Sequence, residues 1–206
     1  YGWANDDRLI YVMDKGGNED YHLFAVNVDG SNQKELTPYE GVKVEMLESL
    51  KEDKNHMIIS MNKNNPQVFD PYKINIETGN IEQLYENKDI QNPIMGYVFD
   101  KNGTLRAYSK LKDGVKYELF YKMDNNKFER IHQTNWDESF SIQSFNYASD
   151  NKHEAYVVSN LETDKTEIFR YDLAKQKPIE RLFSHEKYDV SGIGISRNRN
   201  WELDFF

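Results

Sequence analysis

A repeat of about 48 residues constrains this chain more than any other feature. An aromatic residue recurs at Phe24, Tyr72, Phe120 and Phe169, spaced by 48, 48 and 49 residues. An aliphatic residue follows each one, at Leu36, Leu84, Ile131 and Leu182, spaced by 48, 47 and 51. Polar turn residues keep the same period at Asp6, Asp53, Asn102, Asp150 and Asn198, and lead into LIYV, MIIS, LRAYS, EAYVV and ELDFF. Short strands repeating every 40 to 50 residues or so are the mark of β-propeller blades, each a four-stranded antiparallel sheet. A β-sandwich with regular strand spacing is the competing reading, but it has no need of the same residue type at the same phase four times. The expectation is an all-β, partial propeller of about four blades.

The stretch Asp14 to Pro38 shows how one unit is built. A Gly/Asn/Asp loop leads into an apolar strand, Tyr21 to Val28, the chain turns at Asp29-Gly30, and a short strand closes at Leu36. Asp-Gly between two strand-like runs is a strong hairpin signal, because glycine accepts the positive φ of a tight turn. Units are expected at about 1–40, 41–88, 89–135 and 136–186, with 187–206 starting a further blade. In this reading Tyr1 to Trp3 is the tail of an inner strand whose beginning is missing, and Val190 to Ile195 supplies a fifth inner strand. Trp201 to Phe206 starts the strand after it. The start at Tyr1 and the stop at Phe205-Phe206, inside a strand, read as a piece excised from a longer chain. Ring closure at four or five blades, or in a larger ring, stays open.

Aromatic residues make up 14% of the chain, so a packed core is expected despite a charged fraction of 30% and a mean hydropathy of −0.86. A net charge of −9, with no long Lys/Arg run, argues against nucleic-acid binding. No apolar run approaches the length of a membrane-spanning helix, so no membrane span is expected and the chain reads as soluble. The absence of cysteine excludes disulfides and thiolate metal sites, and it leaves a cytoplasmic or a periplasmic setting open.

No residue set for catalysis, cofactor binding or metal binding emerges. G-x-S-x-G is absent, and Ser191 to Ser196 reads as an inner strand whose glycines allow close packing. His22, His56, His132, His153 and His185 show no metal-ligand spacing. His56 and His153 share a phase after their turns, which suggests a structural role. Asp14, Asn18, Glu19 and Asp20 put oxygens on one loop, but not with the spacing of a twelve-residue calcium loop. Asn102-Gly103-Thr104 matches a glycosylation acceptor and reads better as a turn. Gly192 and Gly194 lack the rest of a phosphate-binding fingerprint. The inner strands, read as Met46 to Leu50, Tyr97 to Phe99, Ile142 to Tyr147 and Ile193 to Ile195, are mostly apolar, which disfavours an active site in a propeller channel.

Several residues carry a resemblance: Asp14, Gly17-Asn18-Glu19, His22-Leu23, Val26 to Gly30 and Leu36-Thr37-Pro38. Ile76-Glu77-Thr78-Gly79 and Ser149-Asp150-Asn151-Lys152 add blade turns of the same kind. On these residues the chain resembles the N-terminal propeller of prolyl oligopeptidase-family (S9) serine peptidases. The likeness is greatest to the acylaminoacyl-peptidase and dipeptidyl-aminopeptidase branch, whose propellers are similar to that of TolB. The resemblance implies a two-domain hydrolase. A noncatalytic propeller would gate peptide access to an α/β-hydrolase domain of the same parent chain, lying after residue 206. The alternative it leaves is a TolB-like propeller acting as a protein-binding module.

Overall fold

A computed structural model describes residues 1–199 and 201–205. The parts of the sequence reading that fall on Asn200 and Phe206 lie outside the described residues. Four antiparallel sheets of four strands each, in sequential order, give the β-propeller architecture. The first holds β1 (Gly2–Trp3), β2 (Arg8–Met13), β3 (His22–Asn27) and β4 (Lys34–Glu35). The second holds β5 (Val44–Ser49), β6 (His56–Met61), β7 (Asp70–Asn75) and β8 (Ile81–Gln83). β9 (Ile94–Phe99), β10 (Leu105–Lys112), β11 (Lys116–Lys122) and β12 (Phe128–Gln133) form the third. β13 (Phe140–Phe145), β14 (Glu154–Ser159), β15 (Glu167–Asp172) and β16 (Lys177–Phe183) form the fourth, and β17 (Gly194–Ser196) pairs with β18 (Glu202–Phe205).

Gly2 and Trp3 pair with Ile10 and Leu9, as the tail of an inner strand would. One expectation is corrected. The fifth inner strand is much shorter than Val190 to Ile195 and begins at Gly194. Val190 is used differently. Its N–H donates to the Thr166 carbonyl at 3.1 Å, and its side chain packs with Val158, Ile168 and Ile193.

Two compact units divide the chain, Tyr1–Leu105 and the residues from Arg106 on. In the first, Ile10, Leu23 and Ala25 of one sheet meet Met57, Ile59 and Ile74 of the next in one buried cluster. The cluster is pinned by Arg8, whose side chain is only 1% exposed. It donates to the Ile76 carbonyl at 3.0 Å, to Asn27 Oδ1 at 2.6 Å and to the Asn32 carbonyl at 3.3 Å, and it lies 3.3 Å from Glu77 Oε1. In the second unit a comparable tie runs through Tyr121, fully buried, whose oxygen accepts from Arg106 at 2.7 Å. Its hydroxyl also lies 3.0 Å from His153 Nδ1, and His153 Nε2 stands 3.1 Å from Asp124 Oδ1.

Register explains the aromatic repeat. Phe24, Tyr72, Phe120 and Phe169 lie opposite Glu35, Gln83, Arg130 and Arg181 on the outermost strands. Two residues before each aromatic sits a buried polar residue: His22, Asp70, Glu118 and Glu167. Each reaches toward that outer strand. His22 Nδ1 donates to Glu35 at 2.5 Å, and Arg130 donates to Glu118 at 2.5 Å. Asn64 bridges Asp70 and Gln83 at 2.9 and 3.2 Å. Arg181 Nε stands 3.2 Å from Glu167 Oε2, an ion pair without an aligned hydrogen bond. The outermost strands are largely exposed, so these polar ties fasten edges that little apolar burial holds.

Candidate functional site

A groove in the first unit combines a carboxylate with an apolar floor. It encloses about 330 Å3, at the small end of the roughly 300–1,000 Å3 typical of ligand clefts. β5 contributes Glu45 and Leu47, β6 Ser60, the β6–β7 loop Val68 and Phe69, and β9 Ile94, Met95 and Tyr97. Local chemistry fixes each wall. The pairing of β5 with β6 slips between Met46 and Glu48, which leaves Leu47 as a bulge turned into the groove.

The β6–β7 loop is held by its asparagines. Asn62 Oδ1 accepts from the Lys43 N–H at 2.7 Å, and Asn65 Oδ1 accepts from the Gln67 N–H at 2.9 Å. Such side chains satisfy turn backbone that no strand pairs. Asn87, buried, acts on the start of β9 like a neighbouring strand. It donates to the Ile94 carbonyl and accepts from the Ile94 N–H, both at 3.0 Å. Asp70 in turn accepts from the Asn87 N–H at 2.7 Å. Across the groove, Tyr97 donates its hydroxyl proton to the Phe69 carbonyl at 2.9 Å. The walls are therefore set by hydrogen bonds rather than by a ligand.

Among the described residues lining the groove, Glu45 is the one carboxylate. Ser60, directly opposite it in register, donates to Oε2 at 3.2 Å. Among the described residues no Lys, Arg or His forms an ion pair with Glu45. The sequence reading passed over this residue because it started the inner strand at Met46, whereas β5 begins at Val44. A strand begun at Val44 would have put Glu45 on the face opposite the buried Val44, which is the signal that could have found it.

The residues singled out from sequence are not brought together. The histidines sit in separate settings: His22 against Glu35, His56 against Asp53 at 2.9 Å, His132 stacked on Phe140 at 4.7 Å, and His153 between Tyr121 and Asp124. His185 Nδ1 accepts from the N–H groups of Lys187 and Tyr188. Burial lowers the His132 pKa, favouring its neutral form. On the Asp14 loop, Asp14 accepts from the Glu19 N–H at 3.2 Å and Asn18 from the Asp20 N–H at 3.1 Å, so these oxygens brace the loop itself. Among the described residues no three His, Cys, Asp or Glu side chains converge as metal ligands. No helix among them is long and apolar enough to cross a membrane. At Gly194 a Cβ would run into the Phe205 ring, so glycine there serves close packing.

No protein-family profile matches the chain. Dipeptidyl aminopeptidase BIII of Pseudoxanthomonas mexicana is 25% identical over 178 residues, which is 86% of this chain and 25% of that protein. The chain thus spans about a quarter of the length of the curated relative it matches. Among solved structures, TolB from Acinetobacter baumannii superposes with a TM-score of 0.54 at 15% identity, covering 88% of this chain and 43% of TolB. A puromycin hydrolase gives 0.55 at 12% identity over 86% and 29%. A prolyl endopeptidase gives 0.53 at 13% identity over 94% and 28%. The chain is a TolB-like propeller similar to those of S9 peptidases, as the Asp14 to Pro38 residues suggested.

Proposed function

We propose that this chain is the noncatalytic propeller of a serine peptidase of the prolyl oligopeptidase family, gating peptide access to an α/β-hydrolase domain of the same parent protein. One observation carries the reading: nearly all of the chain aligns with a dipeptidyl aminopeptidase while occupying a quarter of it. A propeller set over a hydrolase site limits substrates by size, since an extended peptide passes where a folded domain does not. Enclosure also keeps bulk water from the reacting groups.

The test is to read the parent gene through roughly 250 codons beyond that for Phe206, the upper size of a typical domain, and to treat its product with a fluorophosphonate. G-x-S-x-G followed by Asp and then His, with labelling of the full product and none of the 206-residue chain, is the expected result. Labelling of the 206-residue chain itself, or a gene that ends within one further blade, overturns the reading. In the second case a TolB-like binding module takes its place. The observation favouring that reading is the superposition on TolB, as good as that on the hydrolases, since a propeller fold alone does not select a function.

A further inference from the structure

We infer that the Glu45 groove is a receptor for a basic side chain, lysine or arginine, of a bound peptide. The inference goes beyond the gating role and depends on no hydrolase domain. Its basis is a mismatch within the groove. The floor is apolar, built from Leu47, Val68, Phe69, Ile94 and Met95, yet one carboxylate opens onto it with no cation of the described residues beside it. A purely apolar occupant would strip water from Glu45 and return nothing to it, which is costly. A small anion would be repelled. A side chain with an alkyl stem and a cationic head satisfies both parts at once. The stem covers the apolar floor and the head meets the carboxylate, the usual division of labour in long basic side chains.

Positioning favours this occupant further. The Ser60 hydroxyl holds Oε2, so the carboxylate is oriented before any ligand arrives and leaves Oε1 for it. Met95 is 57% exposed, an unbranched side chain able to adapt to stems of different length. The chain's net charge of −9 raises the local concentration of a cationic peptide.

The experiment titrates the whole 206-residue chain with three fluorescent, N-acetylated tripeptide amides of the form Gly-X-Gly, X being lysine, arginine or norleucine, read by anisotropy. Acetylation removes the α-amine, so only the side chain offers charge. Lysine and arginine peptides should bind about tenfold or more tighter than norleucine, the size of a charge-assisted hydrogen bond. Glu45→Gln should abolish that preference and leave norleucine binding unchanged. Asp53→Asn, a carboxylate removed elsewhere on the same sheet, should preserve the preference, with circular dichroism confirming that both variants fold. Equal binding of all three peptides, no binding of any, or a preference that survives Glu45→Gln overturns the inference. A failed fluorophosphonate labelling leaves it standing, and failed peptide binding leaves the gating proposal standing.

Discussion

Replacing Arg8 by methionine should unfold the first unit far more readily than removing the exposed acid it touches. Methionine keeps most of the apolar stem, so the loss falls on the guanidinium. Two of its bonds are firm, to the Ile76 carbonyl at 3.0 Å and Asn27 Oδ1 at 2.6 Å, while that to the Asn32 carbonyl is long at 3.3 Å. Hydrogen bonds to charged groups contribute roughly 1.5–3 kcal/mol each, and the stranded acceptors raise the cost, so a loss of about 3 kcal/mol is expected. Glu77 is 47% exposed, so its pairing with Arg8 is screened and Glu77→Gln should cost no more than about 0.5 kcal/mol. Arg8→Lys should fall between, because an ammonium cannot reproduce the planar fork. Urea unfolding measures this directly: with m of about 1.5 kcal/mol/M, the Arg8→Met midpoint drops by about 2 M. A drop under a third of that, or an equal drop for Glu77→Gln, would refute the view that one buried guanidinium ties these two sheets.

Asp53 carries a pH dependence. Burial raises its pKa, but hydrogen bonds from Lys73 and His56 outweigh that and bring it from 3.8 to about 2. A depressed carboxylate stabilises the fold above its unfolded value and loses that as pH falls, so wild type minus Asp53→Asn should shrink between pH 4 and 2 by about 1 kcal/mol after discounting for partial exposure. Urea titrations at pH 5 and pH 2 check it, and a difference that is flat with pH counts against it. Gly79 and Gly30 both have positive φ, but a Cβ at Gly79 would lie 2.8 Å from the Leu36 carbonyl oxygen while Gly30 faces open space. Gly30→Ala should therefore cost about 1 kcal/mol from backbone strain alone and Gly79→Ala distinctly more, which thermal melts resolve.

Most of the fold was legible because a propeller blade writes the same constraint four times. The aromatic at Phe24, Tyr72, Phe120 and Phe169 marks the third strand of each sheet, and the turn residues mark the entrance to the second. What failed did so where the chain uses an apolar residue outside a strand. Val190 looks like strand by composition, yet its hydrogen bond goes to Thr166 and its side chain caps the fourth sheet. Periodicity reports which residues are buried, not which partner buries them.

The polar ties were illegible for a different reason. His22, Asp70, Glu118 and Glu167 occupy one phase of the repeat, but as a base and two kinds of acid, with a glutamate, an asparagine and two arginines as partners. What the position preserves is a buried polar group reaching the outer strand, and the sign of the charge is free to change so long as its partner changes with it. A search by residue type cannot see such a pattern, whereas a search by phase can. Glu45 is the counter-case within the same sheet. Its phase is that of Ser60 across the ladder, and none of the described cations answers it. Glu118 and Glu167 stand against arginine, whereas the groove carboxylate of Glu45 is held by a hydroxyl. A carboxylate oriented on one oxygen beside an apolar floor keeps the other oxygen for a cation from outside to meet.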